Sequence, residues 1–277
     1  VINKTASYAG DGGLQQVFAG VGFKVLDNLS IGANISYIYG DITHSVTTAF
    51  SNSSSFSSVR LDKISINDYK LDFGLQYSYK FNKKHVLNFG AVYSLGHSVN
   101  GKGYKYNQKW LNGADYPSTQ TGDTITNAFS LPHTFGAGLT YVYDNRLTIG
   151  ADFTYQQWED AKFYNEKSYF SNRTKIAAGA EFVPNPYSRN YLKRVRYRVG
   201  GYYSDPYTKV DGQDGTREYG VSAGFGFPLF QSKSILNISG QYVRVSPKVK
   251  GMLEENYLKI NIGLTFNERW FMKWKVD

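Results

Sequence analysis

A period of two governs this chain. Tyr69, Leu71, Phe73, Leu75, Tyr77, Tyr79 and Phe81 alternate with Lys70, Asp72, Gly74, Gln76, Ser78 and Lys80. Successive side chains of a β-strand point to opposite faces, so this segment forms a strand with one apolar and one polar side. The dyad returns along the sequence in segments of about ten residues, and short and long connections separate them in turn. Lipid on the outside and a polar lumen on the inside demand this pattern. The expected fold class is all-β, a transmembrane antiparallel β-barrel.

Composition removes the main rivals. The 277 residues include 24 Tyr and 18 Phe but only 2 Met and no Cys. No run approaches the ~18 apolar residues of a membrane helix, which excludes a helical membrane protein. A mean hydropathy of −0.42 is compatible with a barrel, because only alternate residues meet lipid. The formal charge of +9 is spread over inward positions, loops and tails, whereas a nucleic-acid binder clusters it. Membrane lipids, including the anionic headgroups of an outer leaflet, are the partners this composition suits. A soluble sandwich or propeller also alternates, but it does not require short and long turns in strict succession.

Eleven strands are expected. The first spans 14–26 and the second runs from Leu29 to Gly40; the third is the long one ending at Phe81. Tight turns fall at Asp27-Asn28, Asn82-Lys83-Lys84, Asp144-Asn145 and Pro184-Asn185-Pro186, where turn chemistry is strong. Longer polar loops are expected at 43–58, 98–126, 158–171, 205–216 and 246–253. Outer-membrane barrels keep short turns in the periplasm and long loops outside. The first and eleventh strands then both descend, and the C-terminus is periplasmic. Residues 1–13 show no basic start and no apolar core of a signal peptide. Strand parity calls for one or three strands before residue 1, giving a closed barrel of twelve or fourteen. The whole of 1–277 reads as one barrel domain lacking its N-terminal strands and plug.

The segments LPHTFGAGLTYVYDNRLTIGADFTYQQW (131–158), YLKRVRYRVGGYYSDPY (191–207), EYGVSAGFGFPL (218–229) and ENYLKINIGLTFNERWFMKWKVD (255–277) resemble the FadL-like outer-membrane transport family (long-chain fatty acid transporter type), in its Bacteroidota branch. The likeness lies in barrel rhythm and turn sequence rather than in ligand chemistry. It implies fourteen strands and an N-terminal plug with an Asn-Pro-Ala element, a motif that these residues do not contain.

Charge on the inward parity is the sharpest candidate for function. Arg194, Arg196 and Arg198 share one parity, opposite to Val195, Tyr197 and Val199. Lys175, Glu181, Asp152, Glu218, Lys70, Asp72 and Lys259 take the inward parity of their own strands. Guanidinium groups beside carboxylates form strong, bidentate pairs. Such a network either fills a narrow lumen or makes an anion path or a headgroup site. Tyr37, Tyr39, Tyr77, Tyr79, Tyr141 and Tyr143 lie near strand ends, as interface girdles do. Trp270 and Trp274 sit in an aromatic, basic tail that suits interface anchoring or partner docking. Inward Ser36 is expected to tolerate a large charged side chain better than outward Val21 or Ile149.

Catalysis finds no support. The four His (His44, His85, His97 and His133) have no metal-ligand spacing. No nucleophile elbow occurs, and Gly10-Asp11-Gly12-Gly13 is too weak a phosphate signal. No cofactor or metal is expected. Two functions remain: passive uptake of hydrophobic or amphipathic small molecules, with the 43–58 and 98–126 loops capturing ligand; or a non-transporting accessory barrel within a larger outer-membrane secretion or assembly complex, in contact with other outer-membrane proteins.

Overall fold

A computed structural model describes residues 3–51, 56–110, 123–126, 128–163, 167, 169–210, 212–229, 234–248 and 253–266. The strands are β1 (Lys4–Leu26), β2 (Leu29–Phe50), β3 (Ser57–Lys80), β4 (His85–Ser94), β5 (His97–Val99), β6 (Gly101–Trp110), β7 (Asp123–Thr126), β8 (Phe129–Leu131), β9 (Thr134–Tyr143), β10 (Leu147–Gln156), β11 (Arg173–Phe182), β12 (Arg196–Ser204), β13 (Lys209–Val210), β14 (Gln213–Asp214), β15 (Thr216–Pro228), β16 (Ile235–Pro247) and β17 (Glu255–Thr265). The wall is one antiparallel sheet in the order β1-β2-β3-β4-β9-β10-β11-β12-β15-β16-β17, with β6 and β7 attached beside β3. These eleven wall strands match the expected number. β1 and β17 run in the same direction, and among the described residues neither edge pairs with the other.

The outward dyad is exposed along the wall. Val21 is 61% exposed, Ile176 50% and Val199 63%. Their neighbours on the other parity are small or polar, which leaves the concave side wet. The turn signals at Asp27-Asn28 and Asp144-Asn145 hold, but Pro184-Asn185-Pro186 makes no tight turn: it opens a connection over 183–195 that carries the 3-10 turn Tyr191–Lys193. Asp144 and Asn145 have φ of 50° and 53°, the geometry of a two-residue hairpin turn. Arg146 N donates to Tyr143 O across it at 2.9 Å.

The expected loops are where the sequence reading fails. β1 begins at Lys4, not 14, and β2 continues to Phe50. Most of 43–58 is therefore strand. Likewise 98–126 contains β6, paired with β3 from Ser57↔Trp110 to Ile66↔Gly101, and β7 beyond it. The 205–216 loop holds the small β13-β14 ribbon. A strand needs about 9–11 residues to cross a bilayer. β4, β9 and β10 have 10 residues each, but β1, β2 and β3 have 23, 22 and 24. The first three strands thus rise far past the long-loop rim as a raised sheet.

Gly12 and Gly40 mark the place where the wall becomes the raised sheet. Both have positive φ, 98° and 143°. A Cβ on Gly40 would lie 2.2 Å from Gly13 O, and one on Gly12 2.1 Å from Asp41 O. Only glycine permits this backbone and this approach. The Gly10–Gly13 run is accordingly part of a strand and a bend.

Candidate functional site

Inward side chains on β11, β12 and β16 form a charged ladder. Glu181 lies opposite Arg198 in the register. It accepts from Arg198 Nε at 2.6 Å and from Arg196 Nη1 at 3.0 Å. Arg198 Nη1 then donates to Asn237 Oδ1 at 2.7 Å, reaching over β15 to β16. Glycines make that reach possible: Gly226 and Gly224 face Arg196 and Arg198, and a Cβ on Gly226 would sit 3.2 Å from Arg196 Cβ. Both guanidinium groups are thereby paired within the wall.

The other inward charges form separate groups. Lys70 pairs with Asp72, which also accepts from Ser94 Oγ at 2.5 Å. Tyr202 donates to Glu218, and Lys175 Nζ lies 5.4 Å from the centre of the Tyr202 ring. Lys259 Nζ lies 4.9 Å from the Tyr257 ring. Arg194 does not continue the arginine row. It closes the 3-10 turn Tyr191–Lys193 ahead of β12, with its guanidinium 5.4 Å from the Tyr191 ring. Val195 beside it is buried, so the strand parity begins only at Arg196. Asp152 stands apart on β10, in an inward recess of 380 Å³. A larger recess of 630 Å³ lies between Phe23, Phe73, Tyr93 and Phe135, but these side chains have the outward parity, so it belongs to the exterior of the wall.

Tyrosines sit at both rims. Tyr37 stacks on Tyr39 at 5.6 Å and donates to Asn67 Oδ1 at 2.6 Å near the long-loop rim. At the short-turn rim Tyr79 packs edge-on against Phe81 at 4.7 Å, Tyr77 is exposed on the same strand, and Tyr141 Oη and His85 Nδ1 are 2.5 Å apart. Tyr143 packs on the same histidine at 4.8 Å. Trp270 and Trp274 lie outside the described residues.

Sequence reasoning missed a cap over the lumen. Ile38, Ile64 and Ile66 have the inward parity of Ser36 and Lys70, yet they are buried with Val99 in one apolar cluster. Ile125, Phe129, Leu131 and Phe163 pack against it. The chain enters because the β3 ladder is interrupted: it pairs with β4 up to Asp72↔Ser94 and with β6 from Ile66↔Gly101. The intervening 95–100 segment turns inward and pairs with β8 at His97↔Leu131. Trp158 extends the cap, with its ring 5.2 Å from Phe170 and 5.1 Å from Tyr207. Ser36, expected to line an open wall, is 2% exposed beneath this region and accepts from Gln16 Nε2 at 2.7 Å. It is a packed position, not a tolerant one. The missed signal was three isoleucines on the polar parity.

Above the rim, Asp41 is held below the usual carboxylate range by a hydrogen bond from Ser65 and by Lys63, which lies at 2.9 Å. Asp214 is lowered in the same way by Ser171 and by Lys248. Both pairs tie separate segments of the raised region together.

A family model described as BamG matches residues 2–277. The chain belongs to the BamG family. No curated protein sequence matches it. Among solved structures, this BamG-family chain is similar to the CymD monoaromatic hydrocarbon channel, at 11% identity over 94% of this chain and 76% of that one, with a TM-score of 0.61. It is similar to the Ralstonia pickettii toluene transporter TbuX at 11% identity, 94% and 69% coverage and a TM-score of 0.57. A Pseudomonas aeruginosa FadL homologue matches at 18% identity over 86% of this chain, with a TM-score of 0.55. The chain spans 61% of that homologue and 34% of the matching chain of the RagAB peptide importer. At these identities the likeness is one of fold alone: the antiparallel β-wall of FadL-like barrels.

Proposed function

We propose that this BamG-family barrel sits in the bacterial outer membrane and passes small hydrophobic or amphipathic molecules through its lumen without catalysis. The observation that carries this reading is the two-sided wall: an exposed apolar belt outside, and inside a polar surface with glycines and an open recess. The fold shared with hydrocarbon channels and a FadL homologue supports it. In this reading the short-turn rim and the C-terminus face the periplasm, and the cap and raised sheet face outward. One or three further antiparallel strands complete the wall, since edges of like direction close only through an odd number, and unpaired edges are not tolerated in lipid. The ligand capture expected of 43–58 and 98–126 then falls to the apolar cap, to which Val99 and Ile125 of the latter segment belong. Uptake of radiolabelled small amphiphiles into liposomes carrying the complete barrel tests the proposal. Flux above empty liposomes supports it, and equal flux refutes it.

The raised sheet favours a second reading. Three strands of more than twenty residues exceed what crossing a membrane requires, and they present a broad structured surface. An accessory subunit that holds other outer-membrane proteins would use such a surface. Gentle extraction and size analysis separate the two, because only the accessory reading requires stable co-purifying partners.

A further inference from the structure

The inward carboxylates of the wall divide unequally. Glu181 holds two arginines, Asp72 holds Lys70 and Ser94, and Glu218 accepts from Tyr202. Asp152 has no hydrogen-bond or ion-pair partner among the described residues. The closest cation in the register is Lys175, opposite Thr154 on β11, and its ammonium is placed over the Tyr202 ring on β12.

The surroundings of Asp152 are built to leave it accessible. Its recess of 380 Å³ is lined by Gln76, Asn88, Thr140 and Thr154 and by the apolar Val92, Phe89 and Phe153, with Gly90, Gly136 and Gly138 as floor. Gly138 lies directly opposite Asp152 across the β9-β10 pair. A Cβ at that position would come within 2.4 Å of Asp152 Oδ1, so the carboxylate occupies room that only glycine leaves. Asn88 Oδ1 accepts from Ser78 Oγ at 2.7 Å. The side-chain oxygens of Thr140, Thr154 and Gln76 therefore remain as the acceptors around a single negative charge. A recess of this volume lies within the range of small-molecule sites.

We propose that this recess is a subsite for a primary ammonium group on a small lumen ligand. An ammonium carries one positive charge and three N–H donors and has no acceptor. Asp152 supplies the opposite charge, and the hydroxyl and amide oxygens take the remaining donors through charge-assisted hydrogen bonds. The inference deepens the conduit reading, on which it rests, and it sets the headgroup sign opposite to the one the arginine row suggested. The arginines are already paired with Glu181 and Asn237, whereas Asp152 has no pairing partner among the described residues.

Ligand-observed NMR on the complete barrel in detergent tests this with n-butylammonium, and with butyrate and 1-butanol as comparisons. Butylammonium is expected to bind about tenfold more tightly than either. Asp152→Asn and Gly138→Ala should each weaken it by a comparable factor, while Asp41→Asn in the raised sheet should leave it unchanged. Should Asp152→Asn fail to insert, Thr140→Val keeps the charge and removes one acceptor, and a severalfold loss is expected. The subsite is overturned by undetectable butylammonium binding, by equal binding of butyrate, or by wild-type affinity in the variants. Liposome flux measured alongside keeps the two readings apart: binding without flux defeats the conduit and retains the subsite, whereas flux without Asp152-dependent binding does the reverse.

Discussion

The ten-residue strands β9–β11 and the raised halves of β2 and β3 obey the same dyad with opposite contents. On β10 and β11 the outward residues Ile149, Phe153 and Ile176 are apolar, and the inward ones include Asp152, Lys175 and Glu181. In the raised sheet the outward parity carries Asp41, Thr43, Ser45, Lys63 and Ser65, while the inward parity carries Ile64 and Ile66 beneath the cap. The inversion occurs within one pair of strands, at Tyr39↔Asn67 and Gly40↔Ile66. In the proposed membrane setting oil surrounds the lower wall, so its outer face is greasy and its middle is wet. Water surrounds the upper sheet, so its outer face is polar and its covered side is packed. The point of inversion marks the boundary between the two solvents, and Tyr37 bonds to Asn67 there.

The largest effect should come from breaking the covered side of the raised sheet. Ile64→Ala removes a buried side chain from the cap and should cost about 2–5 kcal/mol locally. Hydrogen exchange would read this as faster opening of β5 and β8, with β9–β12 unchanged. A paired substitution then tests the inversion itself. Val199→Arg on the outward lower wall should cost about 2–4 kcal/mol near the bilayer midplane, by folding titration in lipid vesicles. Ser45→Arg, outward in the raised sheet, should stay within about 0.5 kcal/mol. Similar costs at both positions would abolish the distinction between the regions.

Gly40→Val should cost about 1–3 kcal/mol through a positive φ and a clash with Gly13 O. Its effect on thermal unfolding should appear in the raised sheet first. Glu181→Gln is milder, about 1 kcal/mol or less, because the ladder side chains are partly exposed. Acid gives the smallest effect, and it is read in the raised region. The Asp41 and Asp214 carboxyls are lowered in the folded protein, so their stabilisation is complete above the ordinary carboxylate range. It fades as the pH falls through their depressed values. Protease nicking at β2–β3 and near β13–β14 should rise below about pH 4, and less in Asp41→Asn than in the wild type.

The sequence made the lower wall legible because one environment lies on each face over a full strand. Tyr69 to Phe81 and the Asp144-Asn145 turn carry their structure in residue type alone. The raised sheet was hidden because the greasy parity vanishes at Gly40, just where the outer solvent changes. Followed from Ile31 to Tyr39, the pattern ends, although the backbone ladder continues to Phe50. Within the candidate site, the parity of Arg196, Arg198 and Glu181 was readable. Their sharing of one carboxylate was not, since it depends on Gly224 and Gly226 two strands away from Glu181. Arg194 had the right parity but lies in a turn, where parity has no meaning. The solitude of Asp152 required knowing where Lys175 goes.

The central claim is that the wall has lipid on one parity and water on the other. The chain contains no cysteine, so single cysteines introduced along Leu147–Gln156 can each carry a fluorophore at a unique site. In lipid vesicles, labels at 147, 149, 151, 153 and 155 should be quenched by brominated acyl chains, and labels at 148, 150, 152, 154 and 156 by a water-soluble quencher. Quenching that does not alternate, or that alternates in the reverse sense, would contradict the account.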